Sequence, residues 1–332
     1  MFAWVIKWIK RMTLGCCAFL VAWCVTGLAM ASGGWNNPPR GELINVDGRQ
    51  QRLVCEGQKI VGVPTVIFES GIYSGAADWG YIQPEVAKNG RTCSYDRAGL
   101  GWSQPSRNSR DTASMARELH QLLAAGNESG PYVLVGHSMA GLLTRAFLSQ
   151  YPTDVVGLVL IDAVDPAAGA MGSARIWLKR AAQVAHFGAG LAPFGVIKPL
   201  SPFYANRIGL SGLALQEKRK MFGATSHLRA SAHEIDAVME QIDVAVAADA
   251  YLPALPVATI TAGPRVDGRN QWKESQARAA RLSSRGTSIN VDAASHTTIL
   301  GPIHSGAVIQ AIERVRADAI SDMNTAATRA KS

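Results

Sequence analysis

Residues 132–148 read Tyr-Val-Leu-Val-Gly-His-Ser-Met-Ala-Gly-Leu-Leu-Thr-Arg-Ala-Phe-Leu. Tyr132 to Val135 is an apolar run with the length of a buried strand, and Leu142 to Leu148 has the composition of a helix. Between them, Ser138 sits in Gly136-His137-Ser138-Met139-Ala140, with Gly141 next. A strand, a Gly-x-Ser-x-Ala-Gly turn and a helix make a nucleophile elbow. The chemistry explains the spacing. A hydroxyl attacks well only if it stands clear of the backbone and near a base. A turn that sharp leaves no room for side chains on its flanks, so Gly136, Ala140 and Gly141 are small. The backbone N–H of Met139 then points into the same space as the serine oxygen, at the positive end of the helix.

Outside this stretch, apolar strands and amphipathic helices alternate. Glu42–Asp47 and Gln51–Glu56 read as a hairpin around Asp47-Gly48. Pro64–Glu69, Arg91–Tyr95, Val155–Asp162, Pro256–Ala262 and Thr287–Val291 read as further strands. Asp111 is placed to cap a helix that runs to Ala125, and a last helix starts near Ser305. This alternation predicts an α/β fold with a mainly parallel sheet and helices on both faces. Residues 166–252 break the rhythm. They are rich in Ala and Leu, with no clear strand, and predict a helical cap lying over the C-terminal edge of the sheet, where open α/β sheets place their sites. The expected organisation is a core of residues 41–165 and 253–320, the cap at 166–252, and a leader at 1–31.

Of 332 residues, 48% are hydrophobic and 17% charged, with a net charge of +8. Three of those positive charges, Lys7, Lys10 and Arg11, lie in the leader, which holds no acid. The remaining basic residues are scattered without aromatic interleaving, so no nucleic-acid footprint is expected. After Arg11 an apolar stretch runs from Met12 to Met30, and Ala29-Met30-Ala31 offers a cleavage site before Ser32. This predicts an exported protein, periplasmic or secreted. The alternative is an uncleaved anchor that touches the membrane through residues 1–31, with the body again outside the cytoplasm. Cys16, Cys17 and Cys24 belong to the leader, and only Cys55 and Cys93 remain beyond it.

Two further segments narrow the family: Glu69-Ser70-Gly71-Ile72 after the third strand, and Tyr95-Asp96-Arg97-Ala98-Gly99-Leu100-Gly101-Trp102-Ser103 after the fourth. With these and the elbow, the chain resembles the α/β-hydrolase superfamily over roughly residues 42–315, closest to its esterase-like members. The resemblance implies a serine nucleophile at Ser138 and a base at His296, which follows the last strand in Ala294-Ser295-His296-Thr297. His304 is a weaker candidate, and His137 is expected to point away from the site. The acid is open between two residues. Asp267, after the strand Pro256–Ala262, is favoured because the superfamily usually places its acid there. Asp162, at the end of Val155–Asp162, is the alternative, since a triad is recognised by geometry and not by spacing. An oxyanion hole is expected from the backbone N–H groups of Ile72 and Met139. Asp96 and Arg97 are expected to form a buried pair bracing the loop. The superfamily's second and fourth strands are neighbours in the sheet, so the resemblance also implies a Cys55–Cys93 disulfide in an oxidising compartment.

The expected activity is hydrolysis of a small carboxylic ester through an acyl-enzyme, with an amidase, peptidase or acyltransferase on the same triad as the alternative. No cofactor or metal site is expected. A non-catalytic binding protein on this scaffold is the alternative from another class. An activated serine labels with a fluorophosphonate, and an idle one does not.

Overall fold

The structure, a computed structural model, describes residues 2–32, 38–169, 172–238, 242–264 and 270–329. Eight strands form one sheet: β1 (Glu42–Val46), β2 (Arg49–Glu56), β3 (Thr65–Glu69), β4 (Thr92–Tyr95), β5 (Tyr132–His137), β6 (Val155–Ile161), β7 (Val257–Ala262) and β8 (Thr287–Val291). Their order is β1-β2-β4-β3-β5-β6-β7-β8. The hairpin β1–β2 is antiparallel and joins β4 antiparallel, and β4 through β8 run parallel.

The period-two pattern of the central strands builds both faces of the core. On β5, Tyr132 and Leu134 pack on one face, Val133 and Val135 on the other; β6 repeats this with Leu158 and Leu160 against Val159 and Ile161. The first face is covered by helices Thr112–Ala125 and Ala140–Gln150, through Leu119, Leu122, Leu123 and Phe147. The second is covered by the closing helix Ser305–Arg329, through Val308, Ile312 and Val315, together with Trp79, Ile82 and Val86. Asp111 caps Thr112–Ala125 as its sequence implies, with the Ser114 N–H donating to Asp111 Oδ1 at 2.7 Å.

Between β6 and β7 the described residues hold helices and no strand, the longest being Gly172–Leu191, Gly212–Met221 and Thr225–Ala237. This cap is pinned to the core by buried charges. Glu217 accepts from Arg52 Nη2 at 2.6 Å, and Lys218 Nζ donates to both oxygens of Asp78 at 2.7 and 2.8 Å. Glu234 accepts from Arg97 Nε at 2.9 Å and Nη2 at 2.7 Å.

The N-terminal helix, Phe2–Ser32, is mostly exposed and meets the rest of the chain near Val196, whose carbonyl accepts from Trp23. Its segment Trp4–Ser32 is long and apolar enough to cross a membrane by length and composition, with a mean hydropathy of 2.0 over an 18-residue window. Cys55 and Cys93 face each other across β2 and β4 and are joined by a disulfide, with Cα atoms 4.1 Å apart.

Candidate active site

β5 delivers Ser138 at its C-terminal end, and the backbone there is forced. Ser138 has φ of 61°, a left-handed conformation that a non-glycine residue rarely adopts. Sterics explain the small neighbours. A Cβ on Gly136 would lie 2.9 Å from the Ala140 carbonyl oxygen, and one on Gly141 only 2.4 Å from that of Val164. The strained turn is tied down from both sides: the Ser138 N–H donates to the Ile161 carbonyl at 3.2 Å, and the Ser138 carbonyl accepts from Gly141 and Val164 at 3.1 and 2.8 Å.

His296 follows β8 and reaches the serine. Its Nε2 lies 3.0 Å from Ser138 Oγ, and its Nδ1 lies 2.6 Å from Asp162 Oδ2. The residue that hydrogen-bonds the histidine is therefore Asp162, where the sequence favours Asp267. Asp267 lies outside the described residues. Sheet register explains the position of Asp162. β5 and β6 pair in parallel with His137 opposite Ile161, so the residues that follow, Ser138 and Asp162, leave the sheet side by side. Asp162 also has a left-handed φ, 42°. Its second oxygen, Oδ1, accepts from the Ala262 N–H at 3.2 Å and from Gln276 Nε2 at 3.1 Å. Burial pushes the carboxyl up, but the hydrogen bond and charge of His296 and the Ala262 N–H outweigh it and hold Asp162 below the usual carboxylate range. An ionised Asp162 fixes the His296 tautomer: Nδ1–H donates to the carboxylate, and Nε2 is left to accept from the serine hydroxyl.

His137 does not point away from the site. Its ring packs against that of His296 with centroids 4.6 Å apart, and its Nε2 donates to the His296 carbonyl at 2.8 Å. Burial, together with the neighbouring His296, pushes His137 down to about 3, so it stays neutral. Asp96 and Arg97 are buried but do not pair with each other in the contacts they make. Asp96 takes Arg52 Nη1 at 3.3 Å and the Ala76 N–H at 2.9 Å.

Arg97 is built into the turn that carries Ile72. Its Nη1 donates to Glu69 Oε1 at 2.7 Å and to the Ser70 carbonyl at 2.5 Å, and its Nη2 donates to the Gly71 carbonyl at 2.9 Å. The Tyr95 hydroxyl donates to the other oxygen of Glu69. Lys218, from the cap, donates to the Tyr73 carbonyl at 3.1 Å. Three carbonyls of this turn are thus held by buried cations. Tyr73 has φ of 58°, so this segment is strained as the turn at Ser138 is. A Cβ on Gly71 would lie 2.9 Å from Ser138 Cβ, which fixes how closely the turn approaches the serine.

Sequence reasoning missed Glu234 and Glu217 as core-facing charges. The signal was present: Glu234 shares a helical stripe with His227, Ser231 and Val238, all buried. Among the described residues one cluster has metal-ligand spacing, Cys55, Cys93 and Glu128, but its two sulfurs are consumed by the disulfide. A polar cleft of about 640 Å3, lined by His120, Asn127, Glu128 and Asp154 among others, opens at the opposite, N-terminal ends of β5 and β6.

A sheet of this order, a serine on a strained turn after β5 and a helical insertion after β6 define an α/β-hydrolase architecture. The chain belongs to the alpha/beta hydrolase fold family, whose match covers residues 64–291. It is 32% identical over 105 residues to the uncharacterized protein YqjL of Bacillus subtilis. That match covers 32% of this chain and 40% of YqjL, so the chain spans about two-fifths of that relative's length. Among solved structures, it resembles a thermophilic esterase from Thermogutta terrifontis, with TM-score 0.59 and 18% identity over 85% of this chain and 99% of that one. It also resembles a putative epoxide hydrolase from Pseudomonas aeruginosa, with TM-score 0.60 and 16% identity over 82% of this chain and 94% of that one.

Proposed function

We propose that this protein is a serine hydrolase that cleaves a small carboxylic ester through an acyl-enzyme, with Ser138, His296 and Asp162 as its triad. The observation that carries the reading is the hydrogen-bonded series Ser138–His296–Asp162, with distances of 3.0 and 2.6 Å. Ser138 Oγ attacks the ester carbonyl carbon while His296 Nε2 takes its proton. The resulting imidazolium is stabilised by the Asp162 carboxylate. The backbone N–H groups of Met139 and Ile72 receive the negative oxygen of the tetrahedral intermediate, two donors contributing roughly 3 kcal/mol each. His296 then returns the proton to the leaving alkoxide, and the alcohol departs. Water attacks the acyl-serine with His296 again as base, and the carboxylic acid leaves.

A serine, not a carboxylate, at position 138 favours acyl transfer through an acyl-enzyme. The disulfide and the apolar N-terminal helix support a body that sits outside the cytoplasm. The test is a hydrolysis screen of p-nitrophenyl esters of increasing chain length, with wild type and Ser138→Ala side by side. Turnover of at least one ester by the wild type, and its loss in the variant, is the expected result. A variant as active as the wild type on an ester that both cleave would end the reading.

A further inference from the structure

The N-terminal helix does not leave the domain freely. Trp23 Nε1 donates to the Val196 carbonyl of the cap at 2.9 Å. A Cβ on Gly27 would lie 1.8 Å from the Gly195 carbonyl oxygen, and one on Gly195 would lie 2.6 Å from that of Cys24. Two glycines thus let the helix and the cap touch backbone to backbone.

Depth follows from helix geometry. Lys7, Lys10 and Arg11 place the start of the helix on the cytoplasmic side, by the excess of basic residues there. Gly27 is sixteen residues past Arg11, a rise of ~24 Å at 1.5 Å per residue, and any tilt shortens it. The hydrocarbon layer is ~30 Å thick. Trp23 sits lower still, twelve residues past Arg11 at a rise of ~18 Å, so a cap loop that touches both must reach into the outer leaflet, below its acyl–headgroup boundary.

The residues flanking that loop suit such a place. Phe194, immediately before Gly195, is 63% exposed, and Phe203 and Phe187 are 74% and 71% exposed. Tyr204 is also exposed, and the Arg207 guanidinium lies over its ring at 4.5 Å. From residue 176 to 220 the sequence holds seven Lys or Arg and a single acid, Glu217, which is buried against Arg52. Lys179, Arg180, Arg207 and Arg219 are exposed. Exposed aromatics among exposed cations form the pattern of a surface that lies in the headgroup region of anionic lipid.

We propose that the N-terminal helix is retained as an anchor and that the cap face bearing Phe194, Phe203, Tyr204 and Phe187 rests in the outer leaflet of an anionic bilayer. The helix alone would tether the domain; the cap face orients it.

The test uses the full chain with Cys16, Cys17 and Cys24 changed to Ser, the Cys55–Cys93 bridge intact, and one new thiol for a nitroxide label. The thiol is Phe194→Cys or Phe203→Cys, with Asp322→Cys on the closing helix as the aqueous reference; near-UV circular dichroism establishes that each variant is folded. In proteoliposomes of phosphatidylglycerol and phosphatidylcholine, labels at 194 and 203 should collide with oxygen several-fold more often than with a water-soluble nickel chelate. The label at 322 should show the reverse. Labels at 194 and 203 that match position 322 would overturn the proposal. Low collision with both reagents would overturn it in favour of contact with a second copy of the chain. Mass spectrometry of the protein from host membranes should find residues before Ser32, and a mature chain beginning at Ser32 would also refute it. Neither readout depends on catalysis, so a failure here is distinct from a failure of the hydrolase reading.

Discussion

Replacing Glu234 by glutamine should destabilise the whole molecule, although the residue belongs to the cap and lies 137 positions from its partner Arg97. Glu234 is fully buried and accepts three guanidinium hydrogen bonds: two from Arg97, at 2.9 and 2.7 Å, and one from Arg110 at 2.9 Å. Burial raises its carboxyl, but the charges of Arg97 and Arg110 more than offset this and hold it below the usual range. Glutamine keeps the size and removes the charge, leaving two buried cations short of an acid. Breaking a buried pair from one side costs about 3–5 kcal/mol. At roughly 2 °C per kcal/mol for a chain of this size, the thermal midpoint should fall by roughly 6–10 °C. The exposed pair Arg285–Asp322 is the control, with side chains 35% and 48% accessible. Asp322→Asn there should cost at most about 1 kcal/mol. The pH dependence adds a second signature. A depressed folded-state pKa gives stability that is present above the usual carboxylate range and lost as pH falls, so Glu234→Gln should have a flatter acid limb than the wild type. Midpoints are read by circular dichroism in detergent. A Glu234→Gln midpoint within about 2 °C of the wild type would refute the claim that the cap is held by this charge.

Other outcomes follow from the same structure. Asp162→Asn should lower turnover by about 10^4-fold, since the amide neither stabilises the imidazolium nor holds its tautomer, whereas Asp267→Asn should change it far less; matched kinetics with the reverse ranking would move the acid. His137 is buried and held down at about 3 against an ordinary 6.5. A base with a lowered folded-state value gives stability that is complete above 6.5 and lost at about 1.4 kcal/mol per pH unit towards 3; His137→Asn should remove one proton's worth of that slope, as denaturant titrations at several pH values will show. Reducing the Cys55–Cys93 bridge, which closes a loop of sequence separation 38, should cost about 4 kcal/mol in the chain-entropy picture, measured as a lower denaturation midpoint with reductant than without.

The sequence was most legible where the chemistry is local. The strand, turn and helix around Ser138 could be read because they are contiguous and the turn's sterics demand glycine and alanine at fixed positions. The helical stretch between β6 and β7 was visible because an alternating pattern stops near Pro166. Asp162 was legible only as one of two acids, because the register of β5 against β6 decides which carboxylate stands beside Ser138, and register is a property of paired strands. The Arg97–Glu234 and Arg52–Glu217 contacts were invisible for a related reason. They join side chains 137 and 165 residues apart, and nothing local at either partner names the other. Asp96-Arg97 misled because adjacency in sequence suggested a pair, while alternation along the chain sends the two side chains to different networks. The neighbouring role of His137 was missed likewise, since its ring meets His296 from the far end of the chain.

The proposed hydrolase chemistry stands on Ser138 being a nucleophile activated by His296. The most direct measurement is covalent: the purified full chain is treated with a fluorophosphonate, digested, and mapped by mass spectrometry. The expected result is one phosphonylated residue, Ser138, with labelling slowed by orders of magnitude in His296→Ala. An unlabelled Ser138 in folded protein, or equal labelling rates with and without His296, would contradict it.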